Sequence, residues 1–228
     1  IQTIEEVENN LYTTSISSSS TLITEPLSPI TDLDNTDLYY SSKTFKSIKK
    51  SLKNLKKNTK GLFIFYGERG TGKTSVINYL ANNLNRTVIF VPNSMIEHTI
   101  NNSDFRKFLN KYHNPIVILD DCEMIFNDYF NRTNLSAYNL LQLSEGIFLD
   151  NVNATFITIF NVDDISEIDQ NFIDCNNLID IVEFEYLSSD ESNELSAHLS
   201  DKTKYKNKNK LNDIIKKRKV LNNKKIGF

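Results

Sequence analysis

One octapeptide constrains what this chain can fold into more than any other feature: Gly67-Glu68-Arg69-Gly70-Thr71-Gly72-Lys73-Thr74. It satisfies G-x-x-x-x-G-K-[ST], directly after the apolar run 62–66 and directly before a helical pattern that opens at Ser75. A strand, a glycine-rich loop and a helix in that order aim successive backbone N–H groups and a helix N-terminus at one spot, an arrangement suited to anionic oxygens. Gly67, Gly70 and Gly72 let the backbone turn sharply and approach phosphates closely. Lys73 would neutralise the β and γ phosphates, and the Thr74 hydroxyl would ligate Mg²⁺, a hard cation that prefers oxygen. Gly67, Glu68, Arg69, Gly70, Thr71, Gly72, Lys73, Thr74 and Ser75 are therefore the predicted binding set for ATP and Mg²⁺.

From Gly61 onward, short apolar runs alternate with amphipathic helical patterns, as in a mostly parallel sheet covered on both faces. Strands are predicted at 62–66, 87–91, 116–120, 155–160 and 179–185. Val76, Ile77, Leu80, Ala81 and Leu84 mark one helix, and Phe105, Phe108, Leu109 and Tyr112 another. A third spans 135–145 and is stopped by Gly146. The run 116–120 leads into Asp120 and Asp121, the acids expected at the end of a buried strand beside such a loop. Asp120 would hold the magnesium through water, with Thr74 as the other metal-binding residue, while Asp121 would orient or deprotonate an attacking water.

The flanks differ in composition. Residues 1–42 carry acids, a Ser/Thr-rich run at 13–21, and Pro26 and Pro29, and read as an extended arm. Within the basic stretch 43–60, Phe45, Ile48, Leu52 and Leu55 define one apolar helical face, its lysines forming a solvated one. Ser188 and Glu191 form a capping box that opens a helix running to about Leu199. A Lys/Asn-rich stretch at 202–210 and a short basic helix over 211–219 follow, read as a solvated end. No stretch approaches the ~20 apolar residues that cross a bilayer. The net charge of −3 argues against a surface devoted to nucleic acid or anionic lipid. Cys122 and Cys175 lie far apart, without a CxxC pair or a leader-like stretch at Ile1, so a cytoplasmic, reducing setting is expected, with neither disulfide scaffold nor zinc site. His98, His113 and His198 show no ligand spacing, which leaves nucleotide-bound magnesium as the expected metal.

Three segments together resemble the AAA family of ATPases: 62–81 around the glycine loop, 117–123 around the acid pair, and 155–161 ending in Asn161. Within that family they look most like the branch of the mitochondrial Rieske-protein translocase and its bacterial relatives, as do 139–146, Ile168-Asp169 and the terminal Ile226-Gly227-Phe228. The resemblance covers residues 45–187. It implies an α/β fold of the P-loop NTPase type, a three-layer sandwich with a five-stranded, mostly parallel sheet and a small helical C-terminal lid. The domains would be an arm at 1–42, an ATPase core at 43–186, and a reduced lid with a basic tail at 187–228. Asn161 matches the sensor position that helps place the attacking water, so Asp121, Asn161 and Lys73 become the catalytic set. The resemblance further implies a homo-oligomeric ring that hydrolyses ATP to remodel a protein client.

This chain departs from the family pattern in places that matter for turnover. The second acid is Asp121, with a shorter side chain than the family's usual pair supplies. Where relatives carry two arginines that reach a neighbouring subunit's γ-phosphate, this chain has Asp174 and Asn177. Arg132 is the candidate substitute, and Arg69 inside the loop takes the place of a less demanding residue. Adenine contacts are expected near 37–40. A nucleotide-dependent switch with little hydrolysis, or a DNA-associated ATPase using the lysines of 43–60 and 202–225, are the alternative readings.

Overall fold

The computed structural model describes residues 11–16, 22–27, 36–123, 135–145 and 153–216. In chain order they form β1 (Leu11–Ile16), β2 (Leu22–Pro26), α1 (Ser42–Lys57), β3 (Gly61–Tyr66), α2 (Val76–Asn83), β4 (Val88–Val91), α3 (Asn93–Ile100), α4 (Phe105–Leu109), β5 (Ile116–Leu119), α5 (Leu135–Glu145), β6 (Thr155–Phe160), α6 (Gln170–Ile173), β7 (Leu178–Glu183) and α7 (Ser189–His198). Residues 211–216 are also helical, and 3₁₀ turns occupy Thr36–Tyr39 and Ile165–Glu167.

The layers follow from alternation along buried strands. In β3, Leu62, Ile64 and Tyr66 enter one core and Phe63 and Phe65 enter the other, because successive strand side chains point to opposite faces. The first core is closed by α3, α4 and α5 through Ile96, Ile100, Phe105, Phe108 and Leu140. The second is closed by Ile48, Leu52 and Leu55 of α1 and by Val76, Ile77, Leu80 and Ala81 of α2. A strand covered on both faces reads as a continuous apolar run, and β3, β5 and β6 are buried along their whole length. The result is the expected three-layer α/β sandwich.

The sheet has seven strands in the order β2-β1-β4-β5-β6-β3-β7, not the five expected. The five predicted strands are present and run parallel. The two additional ones come from the segment read as an extended arm: β1 pairs parallel with β4, and β2 pairs antiparallel with β1. Backbone hydrogen bonds to β4 carry that addition, together with burial of Leu11 and Thr14, so it needs no apolar run of its own.

Polar side chains fasten the helices where apolar contact is thin. Asp180 in β7 accepts from Lys50, Ser51 and Asn54 of α1 at 2.9, 2.9 and 3.1 Å. At the amino ends of β5 and β6, the Arg86 guanidinium donates to the carbonyls of Asn114, Leu55 and Asn58 and to the Thr155 hydroxyl. Burial pushes that guanidinium down to about 10. The predicted capping box of Ser188 and Glu191 is present at the start of α7. Glu191 also accepts from the Ser42 backbone N–H at 2.8 Å, joining α7 to the start of α1. Burial raises the Glu191 pKa, but the bonds from Ser42 and Ser188 outweigh it and hold the carboxyl below its ordinary range. A third apolar cluster, Leu187, Leu195, Leu199, Tyr205, Leu211 and Ile214, makes the C-terminal segment a small packed unit.

Candidate nucleotide site

The sheet order determines which loops meet. β3 lies between β7 and β6, and β5 lies beyond β6, so the carboxyl ends of β3, β6 and β5 are adjacent. In open α/β sheets, ligands bind at such carboxyl ends. The glycine loop leaves β3, Asn161 follows β6, and Asp120 and Asp121 follow β5.

Within the loop, Gly70 and Gly72 take φ of +94° and +101°, a region that side chains avoid. Gly72 is also crowded: a Cβ there would come within 2.8 Å of Tyr40 Cε1 and 2.9 Å of Leu211 Cδ2. Lys73 lies under the loop with only 4 % of its surface exposed. Its ammonium donates to the carbonyl oxygens of Gly67 at 2.5 Å and Glu68 at 2.8 Å. Burial pushes its pKa down from 10.5 to about 8, opposed by the charges of Asp120, Glu123 and Asp121. A buried ammonium held by carbonyl dipoles has unused capacity for an anion.

The Thr74 hydroxyl donates to Asp120 Oδ2 at 2.9 Å, so the two residues predicted to hold magnesium are in contact. Burial, aided by the neighbouring Asp121 charge, raises the Asp120 carboxyl above its ordinary range, while the Thr74 hydrogen bond works the other way. An all-oxygen pair whose carboxylate is short of positive charge fits a hard divalent cation. Asp121 sits at φ +55°. Asn161 Nδ2 donates to its Oδ1, Arg69 Nη2 approaches its Oδ2 at 3.2 Å, and Asn93 Nδ2 donates to its carbonyl at 2.7 Å. Glu123 accepts from both the Asn161 backbone N–H and its Nδ2, at 3.2 and 3.0 Å. Carboxylate oxygens accept hydrogen bonds, so the Asn161 amide turns its nitrogen toward both acids.

A cavity of about 420 Å³ opens over these groups, lined by Arg69, Gly70, Gly72, Lys73, Thr74, Ser75, Asp120, Asp121 and Asn161 and, from the C-terminal segment, Leu211, Asn212 and Ile215. Gly67, Glu68 and Thr71 stand behind it. The Gly67 and Glu68 carbonyls hold Lys73, and the Thr71 hydroxyl donates to the Glu68 carbonyl at 2.8 Å. The Glu68 carboxylate is gripped by Lys210 and the Tyr186 hydroxyl, which hold it below its ordinary range. The Asn212 backbone N–H donates to the Gly70 carbonyl at 2.9 Å, so the C-terminal segment rests directly on the loop.

The predicted catalytic residues Lys73, Asp121 and Asn161 are thus brought together with the predicted metal pair. Tyr40, expected near adenine, is buried and donates to the Gly72 carbonyl at 3.1 Å, while Asp37, Leu38 and Tyr40 border a second cavity of about 390 Å³. Asp174 is exposed and accepts from Gln170 at 2.9 Å. Asn177 adjoins the amino end of β7, which lies at the sheet edge opposite the loop, and its carbonyl accepts from Leu62. Arg132, Gly146 and 226–228 lie outside the described residues. Sequence reasoning gave no role to Glu123, Asn93, Lys210, Leu211 or Asn212. Glu123 stood two residues past the acid pair and was the one within reach of a motif argument; the others carry no local signal.

No helix among the described residues is long and apolar enough to cross a membrane. Comparison with curated protein sequences gives no match. The profile of the ATPase family associated with various cellular activities (AAA) matches residues 63–186, more than half of the 228-residue chain. That stretch contains the glycine loop, the acid pair and Asn161 in the geometry just described, and the chain belongs to the AAA family.

Proposed function

We propose that this chain binds ATP with Mg²⁺ in the cavity over the glycine loop, hydrolyses it, and uses the change of nucleotide state to remodel a protein partner as a homo-oligomeric ring. The observation that carries the reading is the contact of the Thr74 hydroxyl with Asp120 at the edge of the cavity that Lys73 borders. Lys73 and the loop amides would bind the β and γ phosphates, with Thr74 and Asp120 holding the cation. Bound magnesium would supply positive charge between the phosphates. Asp121 would take the proton of the attacking water, which the Asn161 amide would orient. The resemblance to the Rieske-protein translocase branch supports a protein as the client. Cys122 and Cys175 are buried and not joined in a disulfide, which suits a reducing cytoplasmic setting.

A second reading is a nucleotide-dependent switch with little turnover, favoured by Asp174 and Asn177 standing where relatives have arginines. Binding to DNA is less favoured, because Lys43 and Lys50 of α1 are engaged with Glu183, Glu185 and Asp180. The test is Mg-ATP binding together with steady-state turnover over a series of protein concentrations, with Lys73→Ala as control. Turnover per chain that rises with concentration and vanishes in the control supports the ring. Tight binding without turnover at any concentration leaves the switch, and no binding refutes both.

A further inference from the structure

Both carboxylate oxygens of Asp121 are occupied, one by Asn161 and the other by Arg69. Each of its oxygens thus has one acceptor position taken, that on Oδ2 by a cation. The two partners differ in what holds them. Asn161 is fixed by Glu123 through its backbone and its side chain, whereas the Arg69 side chain is 75 % exposed and anchored at its tip by the Asp121 contact at 3.2 Å. Arg69 and Lys73 are the two cations among the described residues lining the cavity. Lys73 is buried beneath the loop, so Arg69 is the one free to swing.

Resting on the reading of this cavity as a triphosphate site, we infer that Arg69 is the transition-state arginine of this ATPase, supplied by the chain's own phosphate loop rather than by a neighbour. When a triphosphate enters, the guanidinium exchanges Asp121 Oδ2 for oxygens of the γ-phosphate, which carry more charge and match its fork. One movement then has two effects. Positive charge arrives where negative charge builds during transfer, and Asp121 Oδ2 is released to accept a proton. In the step itself, the bond from the water oxygen to the γ-phosphorus forms and the bond from that phosphorus to the β–γ bridging oxygen breaks. The bonding pair leaves on ADP, and one water proton passes to Asp121. Nothing beyond water and ATP is consumed. The arrangement accounts for Asp174 and Asn177: a site with its own arginine does not need one from the next subunit.

The test compares the full-length wild type with Arg69→Ala and Arg69→Lys, reading both steady-state kinetics and the gain in Mg-ADP affinity on adding aluminium fluoride, which mimics the transferring phosphoryl group. Arg69→Ala should lower kcat by about 10³-fold and raise KM by far less, since the guanidinium touches the γ-phosphate of bound ATP but meets the most charge in the transition state. It should bind Mg-ADP like the wild type yet lose the fluoride-dependent gain, and Arg69→Lys should recover only a small part because a point charge cannot replace the fork. An unchanged kcat in Arg69→Ala, or an undiminished fluoride-dependent gain, overturns the assignment. So does a wild type that binds Mg-ADP but gains nothing from fluoride, which leaves the nucleotide site itself standing. A wild type that does not bind Mg-ADP removes the site and Arg69's role together.

Discussion

Replacing Lys73 by methionine should separate what this lysine does for the ligand from what it costs the empty protein. Burial pushes its pKa from 10.5 down to about 8, so the unfolded chain holds the proton more tightly than the folded one. At about 1.4 kcal/mol per unit, the shift corresponds to a penalty of about 3 kcal/mol on the folded state without nucleotide. The sign follows from the order of the two values. The penalty is complete below the folded value, fades as the pH rises from about 8 toward 10.5, and is absent above it. Lys73→Met keeps the chain length, removes the charge and leaves the Gly67 carbonyl without its ammonium, a pH-independent cost of about 1 to 3 kcal/mol. The stability of the wild type minus that of Lys73→Met, from urea unfolding of each protein without nucleotide, should therefore rise by about 2 kcal/mol between pH 7 and pH 10. All other titrating groups are common to both proteins and cancel. Mg-ATP should stabilise the wild type at pH 7 and leave Lys73→Met unmoved. A difference that is flat with pH, or that falls, refutes the claim that the ammonium is buried at a cost that an anion relieves.

Further substitutions probe the loop, its neighbours and the fold. Gly72→Ala places a methyl group against Tyr40 and Leu211 at φ +101° and should cost about 2 kcal/mol in thermal or urea unfolding, together with most of the Mg-ATP affinity. Asp180→Ala leaves the fully buried Ser51 hydroxyl and the Asn54 amide without their acceptor; a loss of about 2 kcal/mol or more in urea unfolding is expected, with nucleotide affinity unchanged. Glu123→Ala frees the Asn161 amide to rotate and should lower kcat about tenfold at constant KM, while Glu123→Gln, which keeps an acceptor, restores most of it.

What could be read in advance depended on how local the determinants are. β3, β5 and β6 announced themselves because both faces are buried, and β4 and β7 lay within about two residues of their expected bounds. The amphipathic face of α1 was readable from Ile48, Leu52 and Leu55, all now buried. β1 was hidden because backbone bonds to β2 and β4 hold it, while most of it falls in the Ser/Thr-rich run that made the segment look like an arm. α3 was missed because a start at Pro92 and Asn93 resembles a turn as much as a helix entry. The glycine loop compresses a binding site into eight adjacent residues and so was legible whole. Lys210, Leu211 and Asn212 meet that loop from roughly 140 positions downstream, in a Lys/Asn-rich stretch whose composition reads as solvent-facing.

The departures of this chain from its family converge on one carboxylate. A shorter second acid would reach less far into the cavity if its backbone kept an ordinary conformation. Asp121 instead takes φ +55°, at a cost of about 1 kcal/mol for a residue with a Cβ. Asn93 on its carbonyl and Asn161 on its carboxylate hold it there, and it lines the cavity. Backbone conformation, rather than side-chain length, therefore sets the position of this acid. The loop arginine is the matching change. Arg69 without Asp121 would be an unpaired cation beside Lys73, repelling it across the loop. Asp121 without Arg69 would add its negative charge to the neighbouring Asp120, already held above its ordinary range by burial. The aspartate and the arginine are thus electrostatic partners, each offsetting the charge that the other brings to the site.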